Sequence, residues 1–164
     1  MSKKYVRFLF FCLFAAVIVA AAQWTKWLVV EKIPLYSHVK AIPGLFYLTY
    51  VQNTGAAFSS FDGMQWLFVL VFVVLTVAVI WEYFKKPMPF SCFERWCIAA
   101  VYGGGLGNMI DRVRLGYVVD MIETTFIEFP VFNVADCFIT CGCILLAGHL
   151  ILCNKEFWKE DKKK

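Results

Sequence analysis

Charged residues are spaced so unevenly along this chain that the gaps between them outline its architecture. Five stretches carry no Asp, Glu, Lys or Arg: residues 8–25, 41–61, 63–81, 96–110 and 137–154. A helix that crosses a bilayer needs ~20 mainly apolar residues. The first stretch continues through Trp27–Val30, broken only by Gln23, Thr25 and Lys26. The third is a near-continuous Leu/Val/Phe run from Trp66 to Trp81, ending in Tyr83 and Phe84. The fourth, extended back to Phe93, reaches ~18 residues, the lower end of a span. The fifth surrounds His149. These four predict transmembrane helices over about 8–28, 64–84, 93–111 and 134–153.

The second stretch breaks the pattern. It holds Pro43, Gly44, Gln52, Asn53 and Gly55, and its middle, Leu45–Val51, is rich in β-branched and aromatic residues. That composition favours extended chain. Open strands cannot face lipid, because their backbone groups would lose hydrogen bonds there. A small β-segment over about 40–61 is therefore expected at the membrane surface, with a connecting loop over about 112–133. The fold expected is an all-α membrane protein of four transmembrane helices with that β-structure between helices 1 and 2, in one integral membrane domain over 1–164.

Composition supports this reading and removes others. The chain is 61% hydrophobic and 17% charged over 164 residues, against roughly 45–50% and about 25% for a soluble domain. A disordered chain and a charge-rich nucleic-acid binder are excluded. With four spans, Lys3, Lys4, Arg7, Lys85, Lys86, Arg95, Lys155, Lys159 and Lys162–Lys164 fall on one side, and Lys26, Lys32, Lys40, Arg112 and Arg114 on the other. The excess of positive charge on the first side predicts that both termini are cytoplasmic. The basic tail can meet anionic lipid headgroups, so the net charge of +4 points to membrane lipids and not to nucleic acid. The N-terminal segment also mimics a cleavable secretory signal, with Lys3, Lys4 and Arg7 before an apolar run ending at Ala20–Ala22. Trp27–Val30 prolongs the run beyond a signal core, which favours an uncleaved first helix.

Several features invite functional readings that their context does not support. Four of the seven cysteines lie in the fourth predicted helix, where Cys137 and Cys141 are one turn apart. Thiols in lipid behave as small apolar residues, and no CxxC is present, so neither a metal site nor a disulfide framework is expected. The run Gly103–Gly107 has no preceding strand and no following Lys-Ser/Thr, so it is no phosphate loop. Gly103 and Gly107, with Ala99, instead form a small-xxx-small stripe that lets another helix approach. His38 reads as a solvated loop residue.

The chemistry concentrates in residues 108–136. Asp111, Asp120 and Asp136 all fall near the outer membrane edge, where an ionisable residue is a functional candidate. Asp111 precedes Arg112 and Arg114, which suggests an ion pair clamping the end of helix 3. Asp136 opens helix 4, where the helix dipole favours a carboxylate. Asp120 is bracketed by Val118, Val119, Met121 and Ile122, with no cation within five residues. If Asp120 and Asp136 face each other they share one proton. The ionised member can then activate water while the protonated one donates to a carbonyl. Such hydrolysis needs no metal and no cofactor. Acidic residues at one membrane edge also occur in transporters, so a small transporter subunit stays open on the residues alone.

Three blocks carry a resemblance that goes further: Asn53–Ser59; Gly104–Arg112 running on to Gly116–Asp120; and Phe132–Asp136. In this order, with four spans, the chain resembles the signal peptidase II family over nearly its whole length. The resemblance implies an aspartic endopeptidase of the bacterial cytoplasmic membrane. Asp120 and Asp136 would be its dyad, supported by Asn53, Gly107, Asn108, Asp111, Arg112 and Asn133. The implied partner is a diacylglyceryl-modified prolipoprotein, cut just before the lipidated cysteine near the extracytoplasmic face. A β-cradle after helix 1, approach of the substrate's signal helix along Gly103 and Gly107, inhibition by the cyclic peptide globomycin and a monomeric state are further expectations. One position departs from the family. Its usual Asp-Gln-x-Ser/Thr-Lys reads Ala22-Gln23-Trp24-Thr25-Lys26 here, which puts the polar network at the outer end of helix 1 in question. A divergent, non-catalytic paralogue is the alternative.

Overall fold

The computed structural model describes residues 3–55, 64–85 and 88–154. Four helices and three strands follow in the order α1 (Lys3–Lys32), β1 (His38–Ile42), β2 (Phe46–Asn53), α2 (Gln65–Phe84), α3 (Cys92–Leu115), β3 (Val118–Thr124) and α4 (Val134–Leu152). By length and composition α1, α2 and α4 can each cross a membrane. At 24 residues α3 is long enough, but it does not reach the same apolar composition.

Helix α1 buries one stripe: Phe11, Ala15, Ile18, Ala22, Lys26 and Val29. Steps of three and four residues keep these positions on one face. The opposite face shows Val17, Trp24 and Trp27 to the surroundings, as expected of a helix whose solvent is lipid. Helix α3 lies between α1 and α4. A Cβ on Gly103 would sit 3.0 Å from the Ala15 carbonyl oxygen, and one on Gly104 would sit 2.5 Å from that of Ala135. Only glycine allows backbones this close. The small-residue stripe is therefore filled from within. Gly103 and Gly107 pack on α1, and Gly107 faces Ala22, so the expected approach of a substrate helix along them is corrected: α1 occupies that face.

Helix α2 attaches mainly through its C-terminal end. Val79 and Tyr83 join Phe11 and Ala99 in a core with Phe8, Phe14 and Tyr102 around it. Its other half stays largely exposed, with Leu70, Val71 and Val74 each about 60% accessible. This divergence opens a space between α2 and the α3/α4 pair.

The strands form an antiparallel sheet in the order β1-β2-β3. β1 and β2 fall inside or beside the predicted β-segment. Residues 56–61 of that segment, like the tail from Lys155 to Lys164, lie outside the described residues. The third strand comes from the stretch read as loop, 112–133. It pairs Val51 with Asp120 and Asn53 with Val118. Val119 and Met121 join Val29, Ile33 and Tyr50 in a core against the end of α1. Alternation along a strand then sends Asp120 to the other face. Helix α3 also runs past its predicted end at Asp111 to Leu115, where Gly116 adopts φ +80° and closes the helix.

Candidate active site

Each predicted site residue is set by a local rule of the chain. Asn133 is the N-cap of α4: its side chain accepts from the Asp136 backbone N–H at 3.2 Å, and the Asp136 carboxylate accepts from the Asn133 N–H at 3.0 Å. This reciprocal capping box fixes Asp136 in the first turn. Asn53 ends β2, and its side-chain oxygen accepts from the Gly55 N–H at 3.0 Å. Asp120 lies two register positions away on β3, facing Val51. Asn108 and Arg112 lie one turn apart on α3.

These elements converge. The two oxygens of Asp120 accept from Asn133 Nδ2 at 2.6 Å and from Asn53 Nδ2 at 2.8 Å. Asp136 accepts from Asn108 Nδ2 at 2.7 Å. The Asn133 amide also reaches Asn108 Oδ1 at 3.2 Å, so the side chains of Asn133 and Asn108 link the two carboxylates, and the Asn133 backbone N–H adds a direct bond to Asp136. Burial pushes the Asp120 carboxyl up to about 6, and the Asp136 charge adds to the rise, while the Asn133 and Asn53 amides pull it down. Here desolvation outweighs the hydrogen bonds that favour the ionised form.

Asp120, Asp136, Asn53, Asn108 and Arg112 line one cavity of about 870 Å³ between α2 and the α3/α4 pair. Its remaining wall is largely apolar, including Phe68, Phe72, Met109, Phe132 and Ile139. Arg112 stacks on Phe68, 4.4 Å from the ring centre, and donates to the Gly55 carbonyl at 2.9 Å. Asp120 and Asn53 also border an open trough along the sheet, between Tyr47, Glu123 and the 125–131 segment. The candidate pair thus sits where an apolar chamber meets a more polar groove.

Two predicted residues stand elsewhere. Gly107 is not on the cavity wall; it packs against Ala22 and its carbonyl accepts from Gln23 Nε2 at 3.0 Å. Asp111 lies behind the wall, and its expected pairing with Arg112 and Arg114 is corrected. Its partners are Lys26 Nζ at 2.6 Å, Gln23 Nε2 at 2.8 Å and the Val119 N–H at 3.2 Å. Both members of the Lys26–Asp111 pair are buried. A buried carboxylate with three donors is matched here without either arginine: Arg112 is turned to Gly55 and Phe68, and Arg114 is exposed. Ala22 leaves this network whole: its methyl fills the contact with Gly107 while Gln23 and Lys26 supply the polar groups.

Lys26 and Gln23 are the residues that sequence reading missed. Lys26 also donates to Asn108 Oδ1 at 2.7 Å, one bond away from Asp136. Its signal was present: it interrupts an apolar run and falls on the buried stripe Ala15–Ile18–Ala22–Lys26–Val29. A cation on the buried face of such a helix needs a partner.

Comparison with known proteins agrees with this geometry. The signal peptidase (SPase) II family matches residues 14–152. A lipoprotein signal peptidase of Streptococcus thermophilus is 45% identical over 139 residues, covering 85% of this chain and 86% of that protein. One from Enterococcus faecalis is 41% identical over 153 residues, covering 92% of each. A solved bacterial membrane enzyme superposes with a TM-score of 0.81 at 30% identity, over 89% of this chain and 90% of the other. A second gives 0.77 at the same identity, over 88% and 94%. The chain belongs to the signal peptidase II family of proteases.

Proposed function

We propose that this membrane protease removes the signal peptide from diacylglyceryl-modified prolipoproteins by aspartic catalysis, with Asp120 and Asp136 as the dyad. The observation that carries the reading is that these two carboxylates, joined through Asn133, face one largely apolar cavity. In the reaction, the ionised carboxylate takes a proton from water as its oxygen attacks the scissile carbonyl, and the protonated one donates to the carbonyl oxygen. The gem-diol then collapses. One hydroxyl proton returns to the second carboxylate, the C–N bond breaks, and the amine leaves with the proton held by the first. Both carboxyls end as they began, and no metal or covalent intermediate enters. Asn53, Asn108 and Asn133 hold the pair, and Arg112 adds positive charge at the cavity wall.

The apolar wall suits acyl chains and a signal helix that stay in lipid while the scissile bond reaches the dyad, which lowers the entropic cost of orientation. In this reading α3 is the fourth span, shielded by its partners. Both termini lie in the cytoplasm of the bacterial inner membrane, and the sheet and dyad lie at the extracytoplasmic face. The enzyme works as a monomer without a cofactor, and globomycin competes for the cavity. The test is incubation of purified protein with a lipid-modified precursor. Globomycin-sensitive release of the signal peptide is expected, and Asp120→Asn and Asp136→Asn should each abolish it while remaining folded. Retained cleavage by either variant would reject the dyad. Failure of the parent protein where a known relative cleaves would favour a silent paralogue.

A further inference from the structure

The three asparagines of the site have no freedom in their orientation, because each is fixed by a group that can only donate. The Gly55 N–H takes the oxygen of Asn53, and the Asp136 N–H takes that of Asn133. The Lys26 ammonium takes that of Asn108. An ammonium has three donors and no acceptor, so the Asn108 amide must present its NH₂ to Asp136, at 2.7 Å. Asp136 is thereby given the Asn108 amide and the Asn133 backbone N–H, in the first turn of α4 where the helix dipole favours negative charge. Asp120 lies on a strand and receives only side-chain amides, one of them from Asn133 at the N-cap of α4, and no backbone N–H of that helix's first turn. The two carboxylates are thus held unequally, and the inequality begins at Lys26.

We infer that Lys26 is a positioning residue: by holding the Asn108 carbonyl, it turns the Asn108 amide onto Asp136 and makes Asp136 the ionised, water-activating member of the pair and Asp120 the proton donor. This rests on the dyad reading above. Lys26 touches neither the cavity nor either dyad carboxylate directly. It acts through Asn108, with Asp111 neutralising it at 2.6 Å. Lys26 also lowers the Asp120 carboxyl through space; the other charges facing the pair are Arg112 from α3, Glu123 along the trough and the two carboxylates themselves. In the full cycle Asp136 accepts the proton of water and returns it to the leaving amine, while Asp120 gives and recovers the proton on the carbonyl oxygen.

Removing Lys26 alone would strand a buried Asp111, so the informative variant is the pair Lys26→Met with Asp111→Asn. Replacing both members of a buried ion pair is often neutral for stability, and it leaves the net charge unchanged. Loss of the Lys26 charge also lets the Asp120 carboxyl rise, an effect on the alkaline limb that is separate from the acid limb read here. Without the ammonium, only the longer contact from Asn133 Nδ2, at 3.2 Å, holds the Asn108 carbonyl, so the amide is freer to turn its oxygen to Asp136 and favour the protonated form. The expected result is a kcat about 100-fold lower, with KM for the precursor within about 2-fold, and an acid limb of kcat/KM moved to higher pH. Lys26→Arg, which keeps the charge and the donors, should retain the parent's acid limb. A double variant with parental kcat and an unmoved acid limb would overturn the inference. A second measurement needs no variant of Lys26. The infrared band of a protonated carboxyl, present in the parent near pH 5, should vanish in Asp120→Asn and persist in Asp136→Asn. The opposite pattern would overturn the assignment. Cleavage retained in Asp136→Asn would instead fail the dyad itself, so the two failures are distinct.

Discussion

Two carboxylates in this protein occupy the same position in the same local motif, yet their surroundings differ. Glu94 caps α3 from its third position and bonds Ser91, as Asp136 caps α4 and bonds Asn133. Glu94 is fully buried. Its oxygens accept from the Ser91 N–H at 2.6 Å and from Asn154 Nδ2 at 2.9 and 2.7 Å, and His149 Nδ1 lies 2.8 Å away. Arg95 beside it is held by Glu82 at 2.7 Å. Asp136 has fewer partners and borders a cavity with a second carboxylate across Asn133. A capping carboxylate is therefore a folding device first. It is placed for chemistry only when a cavity reaches it and a second acid shares its network.

The sharpest way to break this comparison is to neutralise each carboxylate in turn. Asp136→Asn is expected to lower kcat by about 10³-fold or more, since the water then lacks its base, with little change in thermal stability. Glu94→Gln should do the reverse. Its new NH₂ must face a donor, the Ser91 N–H or Asn154, and a buried donor–donor contact costs about 2 kcal/mol. Thermal unfolding should register that loss while kcat stays at the parent value. A fall in kcat for Glu94→Gln would mean that the two ends of α3 are coupled.

Proton affinity sharpens the contrast next. Asp120 has its carboxyl pushed up to about 6 by burial. As the proton donor it is competent below that pH and loses its proton above it. In the free enzyme kcat/KM should therefore fall about 10-fold per pH unit above 6, roughly 100-fold by pH 8. Bound substrate dries the cavity further, so the alkaline limb of kcat should lie at higher pH than that of kcat/KM. The same shift bears on stability with a definite sign. A carboxyl raised on folding contributes stability that is complete below pH 3.8 and is lost as pH rises through about 6. Melting temperatures of the parent should fall across that window, and Asp120→Asn should flatten the fall. A parent curve with the opposite slope would show that Asp120 is not the buried acid.

Much of this was legible in the sequence, and what escaped it shares one cause. All four long apolar runs appear as helices, and α1, α2 and α4 are apolar enough to cross a membrane, because lipid selects for unbroken apolar length. The β-segment was visible in Leu45–Val51. Its third strand was not, since Val118–Ile122 is buried from Val118 to Met121 and so lacks the alternation that marks a half-buried strand. Asp111 was misassigned for a related reason. Its neighbours in sequence are Arg112 and Arg114, but its neighbour in space is Lys26, 85 positions earlier in the chain. Periodicity reports which face a residue occupies and says nothing of which helix lies opposite. The dyad candidates stood out because a carboxylate at a membrane edge is costly, whereas the residues that orient them are neutral amides, which carry no such penalty and no such signal.

The smallest effect isolates the cap from everything else. Ser91 does for α3 what Asn133 does for α4, accepting from the Glu94 N–H at 3.2 Å. Ser91→Ala removes one N-cap bond and should cost about 1 kcal/mol of stability. It should leave kcat, KM and the pH profile at parental values, because α3 is held along its length by the close contacts of Gly103 with α1 and Gly104 with α4. Those contacts leave no slack through which a loosened first turn could move Asn108, some four turns away by the rise of an α-helix. The measurement is thermal unfolding beside a full kinetic profile. A shifted acid limb in Ser91→Ala would mean that α3 slides as a unit, and the separation between a folding end and a reacting end would then fail.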